Sequence, residues 1–251
     1  MAHKKRRKLT RTEAKVEAQR KRRRQQIIWA LAGVVAVGVI VVVVLVAMSG
    51  GQGELVAAEP LRGDIETGLT EEGYPYRGSA DAPVTIVEYS DYRCSACRDF
   101  ETSTAEQIDA ELVATGQVKY VVPPFALWEE SLPVVEAAAC AQDLGGFWSF
   151  RRVVFANQNL FPVQGAPARA LLERFAKASG LDTDALKTCL DEGRHQADVR
   201  ASTQRAKTDL GVNSTPTFFV NGVQTQLLRN EPYFDTIRKA VEAAQASGSD
   251  Q

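Results

Sequence analysis

The sequence predicts an α/β fold in which two strand-bearing halves flank an all-helical block, with one transmembrane helix ahead of them. Three observations carry this reading. The apolar run Val84-Thr-Ile-Val-Glu-Tyr89 passes through a short polar loop into Cys94-Ser-Ala-Cys97 and residues able to open a helix. From roughly residue 126 to 210 the pattern is helical. The chain then returns to strand at Thr215-Pro-Thr-Phe-Phe-Val220, and Asn221-Gly222 follows as a two-residue hairpin signal.

The N-terminus sets the compartment. The 251 residues carry a formal net charge of -1, which conceals an asymmetry. Residues 1–26 hold twelve Lys/Arg against two Glu, and residues 49–251 hold eighteen against twenty-nine Asp/Glu, so +10 stands opposite -11. A run such as Lys4-Lys-Arg-Arg-Lys8 would suit nucleic acid, but the stretch between the two blocks argues against it. Residues 27–48 contain no charged side chain. As a helix they would extend about 33 Å, enough for a hydrocarbon core of about 30 Å. A cleaved signal peptide is the other reading, although its apolar region usually spans about 7–15 residues. An uncleaved anchor is the reading adopted. The basic tail, 1–26, then stays in the cytoplasm by the positive-inside rule, and residues from 49 onward lie outside the cytoplasmic membrane, where disulfides persist. Residues 49–81, rich in Gly and lacking periodicity, read as a linker with an r.m.s. reach of about 30 Å.

A folded domain is expected over 82–247, leaving 248–251 as a tail. Pro83 can open the strand Val84–Tyr89 because the first strand residue needs no ladder donor. The helix after Cys94 is expected to reach about Thr115 and stop at Gly116, and Gln117–Val122 alternates as a strand. So short a crossover implies two parallel strands in the right-handed sense. In the helical block, Ser131 is placed to cap a helix with Pro133 in its first turn, and Gly145-Gly146 separates it from a helix sharing Phe147, Phe150 and Val154 on one face. Pro167 opens the next, with Leu171, Phe175 and Ala178 aligned, and Asp182 caps a shorter one ending at Gly193. A long polar helix carries Val199, Ala206 and Leu210 on a stripe. Val223–Leu228 is the hairpin partner, and a last helix from Pro232 buries Tyr233, Ile237, Val241 and Ala244.

Two cysteines three residues apart, the first at a helix start, form a pattern suited to redox chemistry. A thiolate there meets unpaired N–H groups and the positive end of the helix dipole, which lower its pKa. Cys94 would attack and Cys97, one turn inside, would resolve. A structural disulfide or half of a zinc site uses the same spacing.

The blocks Ala82–Cys94, Cys140-Ala-Gln-Asp-Leu-Gly-Gly-Phe-Trp148 and Leu210-Gly-Val-Asn-Ser-Thr-Pro-Thr-Phe-Phe-Val-Asn-Gly222, in that order, resemble the membrane-anchored branch of the DsbA-like thiol-disulfide oxidoreductases, a thioredoxin fold with a helical insertion. The resemblance implies that Cys94 is the nucleophile, Cys97 the resolving cysteine and Pro216 a cis-proline opposite them. Residues alone would read Thr215-Pro216 as an ordinary turn, since cis occurs in about 5–6% of X-Pro bonds. Thr215 would then offer its backbone N–H and C=O to an extended substrate segment. Glu88 shares a face with Val84 and Ile86, so a central strand would bury it and raise its pKa. The resemblance gives such an acid a part in moving protons to and from Cys97; an unburied strand end is the alternative. Ser95-Ala96 departs from the family by lacking histidine and proline, which removes one source of thiolate stabilisation. Arg93 and Arg98 favour a thiolate while Asp91 and Asp99 oppose it.

Of the four cysteines, Cys140 and Cys189 remain once Cys94 and Cys97 pair, and Cys189 lies on an apolar face with Leu186 and Leu190. A second, structural disulfide is expected, with two separate buried thiols as the alternative. His3 falls in the basic tail, and His195 reads as solvated or a cap. No metal or cofactor is expected. The function expected is an oxidase that introduces disulfides into reduced, unfolded exported proteins. Its expected partner is a quinone-linked membrane reoxidant of the DsbB or vitamin K epoxide reductase type. An extracytoplasmic reductase or isomerase using the same site, and a tethered binding module with a structural Cys94–Cys97 bond, are the rivals.

Overall fold

The computed structural model describes residues 54–57, 63–228 and 230–248, together with 20, 22–24, 28, 29, 33 and 38. The expected basic tail and membrane span, 1–48, otherwise lie outside the described residues, and no described helix is long and apolar enough to cross a membrane. Two compact units, 1–53 and 54–251, divide the chain. In the first, the described residues are helical.

The second unit is built on a six-stranded sheet: β1 Thr67–Leu69, β2 Pro75–Arg77, β3 Val84–Tyr89, β4 Val118–Val121, β5 Thr217–Val220 and β6 Val223–Thr225. Their order is β1-β2-β4-β3-β5-β6. Among the described strands only β3 and β4 run parallel, with Ile86 opposite Tyr120; β5 is antiparallel to β3, with Glu88 opposite Phe218. Between β3 and β4 lie α1, Ser95–Ser103, and α2, Ala105–Ile108, the latter widening into a π turn over Asp109–Val113. The helical insert comprises α3 Leu132–Asp143, α4 Phe147–Ala156, α5 Arg169–Ala178, α6 Thr183–Asp191 and α7 Gln196–Asp209, and α8, Tyr233–Gly248, closes the chain.

The strand and helix types follow the sequence pattern, while several boundaries do not. Part of the stretch expected as a linker, 49–81, folds: β1 and β2 extend the sheet, Ile65 is buried, and Arg77 is fully buried. Three-residue strands carry too little alternation to register as strands; pairing of β1 to β2 and of β2 to β4 supplies their order. The helix expected to run from Cys94 to Thr115 breaks at Thr104, where φ is -121°. Thr102 and Ser103 donate their hydroxyls to the carbonyls of Arg98 and Asp99, the back-bonding that bends helices. Ser131 caps nothing; its hydroxyl turns to Asp91 instead. Leu210, assigned to a buried stripe, is exposed, and β6 ends at Thr225 rather than Leu228. Asp182 caps α6 as expected, accepting from the N–H groups of Asp184 and Ala185. Asn221 and Gly222 take φ of 45° and 80°, the paired left-handed geometry of a tight hairpin.

Cys140 on α3 is joined to Cys189 on α6, with Cα atoms 5.9 Å apart, tying the insert across 49 residues. His195 Nε2 donates to Asp143 Oδ2 at 2.8 Å beside this bridge. Replacing both cysteines by Ala is expected to lower unfolding free energy by about 4 kcal/mol in the chain-entropy view, while Cys94 alkylation keeps its native rate. Urea unfolding followed by far-UV dichroism checks this; a loss under about 1 kcal/mol would show that packing alone closes the loop.

Candidate active site

Cys94 occupies the N-cap of α1, with φ -76° and ψ 121°, and Cys97 lies in the helix's first turn. The turn before them is fixed by Asp91. Its carboxylate accepts from the N–H of Arg93 at 2.7 Å, the N–H of Leu127 at 2.7 Å and the Ser131 hydroxyl at 2.7 Å, so one buried side chain ties the cysteine loop to the start of the insert. Burial raises the Asp91 pKa against these hydrogen bonds. From the other side, Gln158 donates Nε2 to the carbonyls of Tyr92 and Cys94, at 2.8 and 2.9 Å.

The Thr215–Pro216 bond is cis, and the Cys94 thiol points at the Thr215 carbonyl, Sγ to O 3.3 Å. The Thr215-Pro216 segment thus lies against the reacting sulfur, as the family resemblance implied. Cys94 is less exposed than its helix-start position implied, at 9%, because the Thr215 segment lies over it; Cys97 is fully enclosed. Both are free thiols.

The two sulfurs are driven apart in acidity. A hydrogen bond from the Cys97 thiol is the largest influence lowering Cys94 to about 6; burial opposes it, and the Thr215 hydroxyl and the N–H groups of Cys97 and Ala96 assist. That hydroxyl is buried without a partner beside the neutral thiol, so it is available to the thiolate. Burial pushes Cys97 far above the usual thiol range, reinforced by the bond to Cys94 and by the charges of Cys94 and Glu88. The pair thus releases its first proton from Cys94. Neither arginine turns its guanidinium to Cys94: Arg98 is paired to Asp99 at 2.8 Å, and Arg93 donates to the carbonyls of Pro162, Val163 and Gly165.

Glu88 is fully buried, on the face expected, but it is not a lone acid. Arg151 Nη2 meets both its oxygens at 2.9 and 2.8 Å, and the Tyr120 hydroxyl donates to Oε2 at 2.8 Å. The same guanidinium reaches Glu101 through Nε at 2.9 Å and lies over the Phe155 ring at 4.9 Å. Behind it, Asp109 pairs with Arg77 at 2.6 Å and Arg152 at 3.0 Å, while Arg77 lies between the rings of Tyr120 and Trp148. Sequence reading missed Arg151, Glu101, Tyr120, Asp91 as a tie, and Gln158. Two signals were present: Arg151 falls four residues after Phe147 on an apolar helix face, and Glu101 falls four after Cys97.

A family model described as Thioredoxin matches residues 70–243. The chain belongs to the thioredoxin family. Among thioredoxin-family proteins its likeness is to the DsbA-like thiol-disulfide oxidoreductases. Disulfide bond formation protein D of Bacillus subtilis is 24% identical over 174 residues, covering 68% of this chain and 77% of that protein. A protein of Rickettsia prowazekii, provisionally named protein-disulfide oxidoreductase, is 26% identical over 167 residues, 66% of this chain. The chain spans about three fifths of the length of that relative, 60%. The crystal structure of oxidised BdbD from Bacillus subtilis superposes with a TM-score of 0.61 at 24% identity, covering 77% of this thioredoxin-family chain and all of the crystallised chain. The helical insert and the strand order are thus features of a known fold.

Proposed function

We propose that this protein is a membrane-anchored, extracytoplasmic thiol-disulfide oxidoreductase that introduces disulfides into exported proteins. The observation that carries the reading is the acidity split at Cys94 and Cys97 beside the Thr215 carbonyl. In the oxidised enzyme a substrate thiolate attacks Cys94 Sγ, the Cys94–Cys97 bond breaks, and Cys97 leaves and takes up a proton. A second substrate thiolate then attacks the substrate sulfur of the mixed disulfide, and Cys94 leaves as a stabilised thiolate. Two electrons pass from substrate to enzyme. A low Cys94 pKa stabilises the reduced product and so favours this direction, whereas a reductase needs the opposite bias. A structural disulfide has no use for such a split. The names of the relatives support disulfide exchange, and the uncharged stretch 27–48 after a +10 tail supports the anchor and its orientation. Reoxidation would fall to a quinone-linked membrane partner of the DsbB or vitamin K epoxide reductase type.

A membrane-impermeant alkylating reagent applied to spheroplasts after mild reduction should label Cys94 from outside, with a rate half-maximal near pH 6. The sign follows from the shift: a lowered folded-state pKa means that thiolate, and reactivity, fall as pH drops through that value. Protection of Cys94 until the membrane is permeabilised would overturn the orientation. A midpoint near the ordinary thiol value of about 8.5 would overturn the catalytic reading.

A further inference from the structure

Residues 54–57 are held by the Val56 backbone, against the insert, and by the Leu55 side chain, against the core. The Val56 N–H donates to Asn157 Oδ1 at 2.7 Å, and the Val56 carbonyl accepts from Asn157 Nδ2 at 2.9 Å. Asn157 is 1% exposed and also donates to the Val153 carbonyl at 2.8 Å, closing the end of α4. Val56 leaves its side chain 60% exposed, so its amide plane, not its packing, makes the contact; Leu55 beside it packs against the core. The next residue after Asn157 is Gln158, whose amide holds the carbonyls of Tyr92 and Cys94. An N-terminal segment and the cysteine loop are therefore gripped by two adjacent side chains of one turn.

We propose that residues 54–57 act as a strap that positions the Cys94 loop, by fixing the Asn157–Gln158 turn from which Gln158 holds that loop. The proposal rests on the reading of Cys94 as the reacting sulfur. Docking fixes where the amide of Asn157 points. That fixes the start of the Gln158 side chain, and Gln158 in turn holds the N-cap carbonyl beneath Cys94. With the N-cap held, the N–H groups of Ala96 and Cys97 stay aimed at Sγ. Strap release lets the turn and loop move together. In the anchored reading only residues 49–53 separate the span from the strap, about 17 Å when fully extended, instead of the longer linker the sequence implied. Val56 then stands between the anchor and the catalytic sulfur.

The full chain carrying Val56→Pro tests this, because proline deletes the N–H while Val56→Ala keeps both backbone hydrogen bonds. In the reduced protein, Val56→Pro should speed hydrogen exchange of the amides of residues 92–98 by about tenfold and slow Cys94 alkylation at pH 6.5 by about threefold. Val56→Ala should match the native chain in both, and Leu55→Ser, which loosens the strap from its packed side, should move both in the proline direction. The unfolding midpoint should change little in any of them, which separates positioning from general destabilisation. Native exchange and alkylation in Val56→Pro, or equal effects in Val56→Ala, would overturn the strap. Neither readout requires turnover, so failure of the native chain to oxidise dithiol peptides would end the functional proposal while leaving this one to stand or fall by itself.

Discussion

Cys97→Ala will accumulate a mixed disulfide between Cys94 and its substrate, and Cys94→Ala will trap almost none. The asymmetry comes from geometry and acidity together. Cys94 sits at the N-cap and keeps 9% of its surface exposed, whereas Cys97 is fully enclosed and holds its proton, so Cys94 is the sulfur an incoming thiolate reaches. Attack on the disulfide therefore links substrate to Cys94. Without Cys97 the internal return reaction, which would expel substrate, is lost, and the adduct waits for a second external thiol. Both single variants should lose oxidase turnover by several orders of magnitude, since each lacks half of the two-electron couple. Acid quenching followed by non-reducing gels reads the adducts directly. Equal trapping by the two variants would overturn the division of labour.

Arg151→Met will destabilise the folded protein by about 3–5 kcal/mol at pH 7, the range for removing one partner of a buried ion pair. Arg151 is a single guanidinium between two carboxylates, Glu88 and Glu101, whose side chains are 0% and 2% exposed. Burial pushes Glu101 up, yet the charges of Arg151, Arg77 and Arg152 outweigh it and leave its pKa lowered. A lowered folded-state pKa contributes stability above the unfolded value, about 4.3, and loses it as pH falls through the folded one. In Arg151→Met the charge that most lowers Glu101 is gone while its burial remains, so Glu101 binds its proton more readily in the folded variant than in the native chain. The variant should therefore recover toward native stability as pH drops below about 5. Arg151→Lys should fall between the two, because an ammonium lacks the fork that bonds Glu88 and Glu101 at once. Urea unfolding at pH 7 and pH 4.5 measures all three chains; a deficit in Arg151→Met under about 1 kcal/mol at pH 7, or one that grows on acidification, would contradict the network.

Local chemistry made much of this legible from residues alone. Alternation in Val84–Tyr89, the placement of Cys94 before a helix, the Asp182 cap and the Asn221-Gly222 turn all depend on neighbours within about four positions, the range over which side-chain spacing and capping act. Those neighbours were in view, and the structure agrees with them at each place. The same range explains the errors. Ser131 had the residue type of a cap, but its partner, Asp91, lies 40 residues earlier. β1 and β2 are too short to announce themselves and exist through pairing with each other and with β4.

What tertiary structure alone decided is the setting of the reactive sulfur. Glu88 could be placed on a buried face from strand period, but its ion pair with Arg151, 63 residues away, could not. Residue types alone could not say that Thr215, 121 positions on, would lie against Cys94 or that the bond after it would be cis; only the family resemblance implied the cis bond, and the structure has it. A sequence shows which groups each element carries and toward which face. Which charges meet, and whether a buried acid has a cation, depends on how separate elements converge; in the low-dielectric interior that convergence adds burial, the Thr215 hydroxyl and the Glu88 charge to the local Cys94–Cys97 hydrogen bond in setting the acidity of the two thiols.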